Sequence, residues 1–286
     1  IPISQATIPV NDWGLVHSDI TYDVVPVIDG AFFRFDEYLA RFLSSMENLH
    51  LDPGMNKRDI QAALHQMVSK SSLRDSYVAM VCSRGKPKIA GSRDPRDCEN
   101  HFFAWCVPYV HIIKPEIVKQ GATAWIAQNA YRIPENSVNP LVKNYHWGDF
   151  TQGIFEAKDK NYETVILLDY DGNVTEGPGF NVFAVKDKVL ITPDRGVLAG
   201  VSRKTVLEMA EHLGINTSVR SLSVEELLEA DEVFLSSSGG GVIPIIRVNE
   251  TIFGNGASGP ISVQLNETYW KWTTLEKYRD PIDYAL

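Results

Sequence analysis

Hydrophobic and polar positions alternate over the first 110 residues in a way that predicts strands interleaved with helices. Two short runs rich in β-branched and aromatic residues meet at the turn dipeptide Asp29-Gly30, which predicts a hairpin. Apolar residues then recur every three or four positions in two segments, as they do on one face of a helix. The predicted elements are a hairpin at 20–35, helices at 36–49 and 57–70, and strands at 76–85 and 100–110.

The rest of the chain is richer in predicted strands, most of them paired in hairpins. Turn residues at Asp171-Gly172 and at Asp187 predict two hairpins. Ser202 is the predicted N-cap of a helix that stops at Gly214. The predicted elements are a strand at 121–128, a helix at 148–161, hairpins at 163–177 and 180–193, a helix at 202–214 and a buried strand with a glycine-rich bend at 231–245.

This balance of strands and helices predicts an α+β protein of two unequal domains. We expect a small α/β domain over residues 1–112, a linker over 113–120 and a larger strand-rich domain over 121–286. At 286 residues the chain can bury the core that such an architecture needs.

Composition excludes several classes of protein. The net charge of -9 argues against nucleic acid as a partner, because phosphate binding needs a basic surface. No apolar run approaches the ~20 residues of a membrane-spanning helix, so we expect no membrane partner. The seven histidines lack metal-ligand spacing, so no bound metal is predicted. Three scattered cysteines and no signal-like segment lead us to expect reduced thiols and a cytoplasmic location.

One lysine stands out because of its neighbours. Lys143 lies within the stretch NPLVKNYHW, among leucine, valine, tyrosine and tryptophan. Burying an ammonium without a partner costs several kcal/mol or forces deprotonation. Two interpretations therefore stay open from this stretch alone. The stem lies along apolar surface with its head in water, or the amine is kept ready to form a Schiff base.

Three further stretches suit an anionic ligand and a cationic ring. The turn at Gly200 leads into a helix, which exposes the amides of Val201 and Ser202 at the positive end of the helix dipole. The run SSSGGG at Ser236–Gly241 offers hydroxyls beside glycines. Glu176 stands before a strand, where it is either a plain turn residue or a fixed anion. A phosphate cradle, a half-buried lysine and a fixed carboxylate together are what pyridoxal phosphate requires.

The motifs, taken in order, make the match specific. The chain resembles the fold-type IV pyridoxal-phosphate aminotransferases in RF, VKNYHWGDF, TEGPGFNVF, TPDRGVLAGVSRK and SSSGGGVIPI. That family includes branched-chain and D-amino-acid aminotransferases, aminodeoxychorismate lyase and the (R)-selective amine transaminases. Through HSDITYDV, VKNYHWGDF, TEGPGFN and TPDRGVLAGVSRK the chain is most similar to the (R)-selective amine transaminases.

The resemblance implies a role for each matched residue. Lys143 would form the Schiff base with pyridoxal 5'-phosphate, Glu176 would pair with the pyridine nitrogen, and Arg41 would bind the phosphate. The other implied cofactor contacts are Phe180, Val201, Ser202, Ser237 and Ser238, and the implied substrate pocket consists of His17, Tyr22, Val24, Tyr77 and Trp147. For each aromatic the alternative is core packing, and at Tyr77 and Val24 the two interpretations are balanced.

The resemblance also implies a ping-pong transamination. The substrates would be small-molecule amine donors, among them an (R)-amine, and ketone or keto-acid acceptors. The active site would form between the subunits of a homodimer. At the position where relatives hold an acceptor carboxylate with arginine, this chain has Ala90. Arg93 and Arg96 lie close by in sequence, and the alternative is that both are solvated.

Several other functions stay possible at this stage. A D-amino-acid aminotransferase would carry an R-x-H feature that is not found here, and KNYHW lacks the glycine-bearing spacing associated with branched-chain enzymes. Nothing singles out an aminodeoxychorismate lyase. A non-enzymatic binding protein predicts a broken Lys143, Glu176 or phosphate cradle, and none is broken. A nucleotide-binding module would need a Walker or GxGxxG spacing, which is missing.

Overall fold

The structure is a computed structural model that describes residues 1–285, and it divides the chain into two compact units. Unit 1 contains residues 1–109, the short segment Val142–His146 and residues 276–285. Unit 2 contains Val110–Leu141 and Trp147–Leu275.

Unit 1 is built on a five-stranded antiparallel sheet with the strand order β14-β2-β1-β3-β4. Its helices are α1 (Trp13–Val16), α2 (Phe35–Asn48) and α3 (Lys57–Ser71), and its strands are β1 (Ile20–Ile28), β2 (Ala31–Phe33), β3 (Ser76–Pro87), β4 (Cys98–Pro108) and β14 (Arg279–Pro281). Single 3-10 turns cover Ile3–Gln5, Pro95–Asp97 and Glu276–Tyr278.

Local sequence explains why the helices of unit 1 form where they do. Helix α3 begins at a capping box, in which Asn56 accepts from the backbone of Asp59 and Asp59 accepts from the backbone of Asn56. Helix α2 buries an apolar stripe that includes Leu39 and Phe42. Strand β1 is buried over nearly its whole length, which makes it the centre of the unit 1 core.

Unit 2 contains a larger mixed sheet with the strand order β10-β9-β8-β11-β12-β5-β6; β13 pairs with β12 and β7 pairs with β8. Its strands are β5 (Ala122–Tyr131), β6 (Thr164–Leu168), β7 (Glu176–Gly177), β8 (Phe180–Lys186), β9 (Val189–Thr192), β10 (Asn216–Val219), β11 (Glu232–Ser237), β12 (Gly241–Val248) and β13 (Thr251–Ile252). Its helices are α4 (Pro115–Gln120), α5 (Gly148–Asp159), α6 (Val201–His212), α7 (Val224–Leu228) and α8 (Pro260–Trp272), with a 3-10 turn at Gly254–Gly256.

The predicted fold class is confirmed, since the described chain combines two sheets with eight α-helices. The domain division differs from the sequence prediction in three places. Residues 110–120, which include the predicted linker and helix α4, belong to unit 2, whereas 142–146 and 276–285 belong to unit 1. Hydrophobic spacing along the chain cannot reveal that a short segment returns to an earlier unit. Among residues 1–285, no helix is long and apolar enough to cross a membrane.

The start of helix α6 also differs from its prediction. Gly200 is the N-cap and no side chain caps the helix, whereas Ser202 lies inside the first turn. A β-carbon on Gly200 would lie 2.1 Å from Oδ1 of Asn181, so the close approach of Asn181 requires glycine there. Gly214 follows the end of the helix with φ +69°, as its predicted stop position requires.

Candidate active site

The backbone of Lys143 is anchored within unit 1 by two hydroxyl groups. The Thr21 hydroxyl on β1 donates to the Lys143 carbonyl oxygen at 2.6 Å, and Lys143 N–H donates to Ser45 Oγ on α2 at 3.3 Å. A β-bridge between Thr21 and Asn144 extends the contact. Both hydroxyl-bearing residues are fully buried, so the segment is attached to the core of the unit.

The side chain of Lys143 is half-buried and lies against aromatic rings. Its Nζ atom is 4.5 Å from the centroid of the Tyr22 ring, which attracts a cation. Tyr22 stacks on Tyr145 with centroids 4.0 Å apart and an angle of 6° between the planes. Burial, together with Tyr22 and Tyr77, raises the pKa of Tyr145 above the ordinary tyrosine value, so this phenol stays protonated at neutral pH. The surroundings of the lysine are therefore aromatic, and the Tyr145 hydroxyl among them keeps its proton.

Arg41 extends from α2 to a buried carboxylate on β1. Arg41 Nε donates to Asp23 Oδ2 at 2.8 Å, and Nη2 donates to Oδ1 at 2.7 Å, which is the paired geometry that a guanidinium favours. Burial alone would lower the pKa of Arg41, but the negative charge and hydrogen bonds of Asp23 raise it above its ordinary value. The group is a permanent cation with a fixed plane.

Three predicted pocket residues of unit 1 share one face of its sheet. Tyr22 and Val24 alternate along β1, and Tyr77 on β3 lies directly opposite Pro26 of β1. Burial, reinforced by Tyr22, Asp23 and Tyr38, raises the pKa of Tyr77. These residues are close in register, although Tyr22 and Val24 are also part of the buried core.

His17 is the fourth predicted pocket residue of unit 1, and it is exposed directly after helix α1. Asp12 caps this helix by accepting from Gly14 N at 2.8 Å, and its carboxylate also binds His101 Nε2 at 2.7 Å and the Ser83 hydroxyl. Burial would raise the pKa of Asp12, but the hydrogen bonds from Ser83, His101 and the backbone lower it. The cap thereby fixes helix α1 and the position of the backbone at His17, the residue that follows it.

Glu176 lies in unit 2, where three donors hold its carboxylate. Arg132 Nε donates to Oε1 at 3.2 Å, and Oε2 accepts from Asn181 Nδ2 at 3.3 Å and from Leu198 N at 2.9 Å. The residue is only 5% exposed. A buried carboxylate with a cation and two further donors is stabilised in its ionised form. Glu176 can therefore serve as a fixed anion beside a ligand.

A second carboxylate stands behind Arg132. Arg132 Nη1 lies 2.7 Å from Asp149 Oδ2 at the start of α5, and Ile133 N donates to the same oxygen at 3.1 Å. The guanidinium also stacks over the Phe150 ring at 4.4 Å. Because Arg132 is held on both sides, it keeps Glu176 in one position.

The turn before α6 is joined to Glu176 through Asn181. The Asn181 amide donates to Glu176 and, at 3.0 Å, to the Leu198 carbonyl oxygen. Leu198, Gly200 and the first residues of α6 therefore lie next to the carboxylate within unit 2. The backbone amides of Val201 and Ser202 are at the N-terminal end of this twelve-residue helix, where an anion is favoured. Ser202 Oγ lies 3.4 Å from the Tyr269 hydroxyl.

The glycine-rich bend holds the remaining cofactor candidates of unit 2. The Ser237 hydroxyl donates to the Gly179 carbonyl oxygen at 2.8 Å and accepts from Gly239 N at 3.1 Å, so it braces the turn before Phe180. Ser238 is half-buried in the bend, and Phe180 is buried at the start of β8. Trp147, the fifth predicted pocket residue, precedes α5 and packs edge-on against Phe150 at 5.5 Å.

The structure thus places the predicted site residues in two sets. Unit 1 brings together Lys143, Arg41 and the pocket residues of β1 and β3. Unit 2 brings together Glu176, the start of α6 and the glycine-rich bend. In residues 1–285, no group of three or more histidine, cysteine, aspartate or glutamate side chains is arranged to hold a metal.

Sequence reasoning missed six residues that hold these groups: Thr21, Asp23, Ser45, Arg132, Asp149 and Asn181. A signal existed for Asp23, because an aspartate inside the apolar run ITYDVVPVI is rarely buried without a partner. Asn181 lies inside the motif TEGPGFN. Arg132 is 44 residues from Glu176 and Thr21 is 122 residues from Lys143, so no local pattern connects either pair.

The arginine-bearing loop that follows β3 lies within unit 1. Ala90 is exposed at its tip, and Arg96 binds Asp94 through charged hydrogen bonds. These bonds raise the pKa of Arg96 and lower the pKa of Asp94 to about 2. Arg93 is exposed.

Known proteins resemble this chain over almost its whole length. The family described as amino-transferase class IV matches residues 21–248. A putative branched-chain-amino-acid aminotransferase of Methanocaldococcus jannaschii is 27% identical over 93% of this chain and 91% of its own length. A D-alanine aminotransferase of Bacillus licheniformis is 28% identical, covering 91% of this chain and 89% of the relative.

A solved structure agrees with these relatives at the level of the fold. The branched-chain amino acid aminotransferase of T.th., solved with pyridoxamine 5'-phosphate, superposes with a TM-score of 0.92. The alignment covers 99% of this chain and 96% of that one at 23% sequence identity, so it establishes a shared fold.

Proposed function

Because the chain belongs to the class IV aminotransferases, we propose that it transfers an amino group from a chiral (R)-amine to a ketone or keto acid. The observation that carries this proposal is the pairing of two arginines of unit 1, one in β3 and one in the loop that follows it. Arg84 is bound to Asp19 and Arg96 to Asp94, so neither guanidinium is set aside for a substrate carboxylate. The motif HSDITYDV, through which the chain resembles the (R)-selective amine transaminases, supports the same donor class.

Pyridoxal 5'-phosphate is the cofactor of this enzyme, and the residues present fit it. Glu176 is a buried carboxylate paired with Arg132, and it is suited to a protonated ring nitrogen. Gly200 allows Asn181 to approach the turn before α6, where Val201 and Ser202 offer backbone amides to a phosphate. Arg41 supplies a permanent cation for the same kind of group.

The residues of this chain would divide the work. When bound, the cofactor withdraws electrons from the substrate carbon, which allows the amino group to change hands. Lys143 Nζ would hold the cofactor and, once released, would move a proton from the substrate carbon. Glu176 would keep the ring nitrogen protonated, while Arg41, Val201, Ser202, Ser237 and Ser238 would hold the phosphate. Phe180 would pack beside the ring.

The pocket residues would select the donor by shape and polarity. Tyr22, Val24 and Tyr77 share one face of the unit 1 sheet and are mostly apolar. His17 and Trp147 would add one exposed and one half-buried ring. Such a wall favours a donor whose substituents on the reacting carbon are aromatic or aliphatic rather than charged.

A second candidate is an aminotransferase for D-amino acids or branched-chain L-amino acids, which the names of the relatives favour. The observation on its side is Arg93. This guanidinium is exposed, and no partner for it is found among residues 1–285, so it could meet a substrate carboxylate. An activity like that of an aminodeoxychorismate lyase is the remaining candidate within the family, and no contact favours it.

The half-reaction separates these candidates. Protein loaded with pyridoxal 5'-phosphate is mixed separately with (R)-1-phenylethylamine, (S)-1-phenylethylamine, D-alanine and L-leucine, and the loss of visible absorbance is followed. The proposal predicts fast loss with the (R)-amine, and loss only with an amino acid contradicts it. In the second case the variant Arg93→Ala should raise the concentration of amino acid needed for half-maximal rate, with Arg58→Ala, another exposed arginine of unit 1, as the control.

We also propose that the enzyme is a homodimer, as the resemblance implies. Light scattering during size-exclusion chromatography tests this directly. A mass near 32.0 kDa would mean a single chain and would contradict the proposal.

A further inference from the structure

The starting point is a carboxylate in an unfavourable place. Asp23 is fully buried near the middle of β1, inside the apolar run ITYDVVPVI. A buried charge is tolerated only when it is paired and hydrogen-bonded. Its partners are Arg41, through both carboxylate oxygens, and the backbone N–H of Val24 at 2.7 Å.

Stability alone is a weak reason for such a pair. A buried ion pair often contributes no more than apolar side chains of the same volume, because both charges lose their hydration. The neighbouring positions of β1 are apolar or aromatic, so an apolar residue at position 23 would match the strand. The pair instead provides a fixed orientation of the Arg41 side chain, because two parallel hydrogen bonds fix the plane of a guanidinium.

The orientation of the Arg41 guanidinium decides whether it can meet a ligand. Its long side chain has many rotamers, and only a few present the guanidinium to a given point. It crosses from α2 to β1, with its guanidinium carbon 5.4 Å from the centroid of the Tyr38 ring. With Nε and Nη2 bound to Asp23, the position of the whole planar group is set before any ligand arrives.

We propose that Asp23 is a positioning residue for the phosphate of pyridoxal 5'-phosphate, acting through the guanidinium of Arg41. This inference rests on the proposed function, in which Arg41 binds that phosphate. Asp23 touches neither substrate nor cofactor in this account. It reduces the rotamer search that Arg41 would otherwise complete on each binding event. Its negative charge also raises the pKa of Arg41, although burial acts against the charge.

The test compares two ligands that differ only by the phosphate. Apoprotein is titrated with pyridoxal 5'-phosphate and, separately, with pyridoxal, and the dissociation constants are read from visible absorbance. The variant Asp23→Asn keeps the size of the side chain but removes the charge and the paired acceptor. We expect its affinity for pyridoxal 5'-phosphate to fall about tenfold, and its affinity for pyridoxal to stay within about twofold.

The chain offers a matched control in the same unit. Arg84 and Asp19 form a similar paired contact, with Nε to Oδ2 at 2.8 Å and Nη2 to Oδ1 at 3.1 Å, and Arg84 also binds backbone carbonyl oxygens. The variant Asp19→Asn should leave the ratio of the two dissociation constants unchanged. In an Arg41→Lys background, Asp23→Asn should have little further effect on that ratio, because lysine has no planar guanidinium for Asp23 to orient.

The outcomes are distinct. Equal weakening of both ligands in Asp23→Asn, or no weakening of either, would overturn the positioning role. If Asp23→Asn does not fold, Asp23→Glu carries the test, with a smaller loss that is again confined to the phosphorylated ligand. If the wild type itself binds no pyridoxal 5'-phosphate, the proposed function fails instead, which is a different result.

Discussion

Lys143 in unit 1 and Glu176 in unit 2 are held in opposite ways. Lys143 is anchored through its backbone, by Thr21 and Ser45, while its Nζ lies against an aromatic ring. Glu176 is anchored through the carboxylate itself, by Arg132, Asn181 and Leu198 N. In the proposed function Lys143 forms and breaks bonds, which requires a fixed backbone and an amine that can change position. Glu176 needs only to keep its charge in one place, which requires that the carboxylate atoms themselves are held.

Removing the Lys143 amine should have the largest effect. Lys143→Ala should lower turnover with the preferred amine by at least about 10⁴-fold, because proton transfer at the substrate carbon loses its base. The measurement is steady-state turnover of protein saturated with cofactor. Lys160→Ala is the matched control, since Lys160 Nζ also lies over an aromatic ring, 4.7 Å from that of Trp125. If both variants lost activity equally, the special role of Lys143 would be refuted.

Removing the fixed charge should have the next largest effect. Glu176→Gln keeps the shape but turns an amide toward donors, and we expect turnover to fall roughly 10²- to 10³-fold. The control is Glu232→Gln, another buried carboxylate, which accepts from Ile261 N and Ser262 N at the start of α8. That variant should lose stability while each folded molecule keeps its activity. Turnover of Glu176→Gln close to wild type would speak against a charge at the ring nitrogen.

Removing a hydrogen bond that anchors the Lys143 backbone should lower turnover less than either change above. Thr21→Val removes the 2.6 Å hydrogen bond to the Lys143 carbonyl oxygen with almost no change in volume. We expect about 1 kcal/mol less stability and turnover lowered about tenfold through misplacement of the amine. Thr192→Val removes a similar buried bond, to the Val182 carbonyl oxygen, together with a longer one that Thr192 accepts from Arg203 Nε at 3.3 Å, and should affect stability only. Stopped-flow measurement of the half-reaction distinguishes the two variants, and equal rates would show that the anchor does not act on Lys143.

Removing the carboxylate of Asp12, which links helix α1 to β3 and β4, should have the smallest effect on catalysis. Asp12→Asn should cost about 1–2 kcal/mol of stability at neutral pH, because Asp12 accepts from Gly14, Ser83 and His101. The pKa of Asp12 is lowered in the folded state, so its contribution is complete above the ordinary value of 3.8 and is lost as pH falls through the folded pKa. Urea unfolding of both proteins between pH 7 and pH 3 should show the two free energies of unfolding converging in acid. A difference that stays constant across this range would contradict the assignment.

The sequence predicted best those features that depend on neighbours along the chain. Helices α2 and α3 and the hairpin that turns at Asp187 follow local spacing, and the structure reproduces them. The start of α6 was wrong, because a glycine forced by the approach of Asn181 has no signature in the helix itself. The return of 142–146 to unit 1 depends on Thr21 and Ser45, which are distant in sequence.

The same reasoning explains what was missed at the candidate site. Lys143 and Glu176 stand inside motifs and were found. Arg132 binds Glu176 and is itself bound by Asp149. Their local patterns indicate only the end of a strand for Arg132 and the start of a helix for Asp149, so neither pattern points to a role at the site. Their role becomes visible only when the folded unit brings the three charged groups together.

The most direct test of the account asks where the cofactor is attached. Protein loaded with pyridoxal 5'-phosphate is reduced with borohydride and digested, and the peptides are identified by mass spectrometry. We expect to find the reduced cofactor on Lys143, in the peptide that contains NPLVKNYHW. Attachment to a different lysine, or no attachment in protein that is saturated with cofactor, would contradict it.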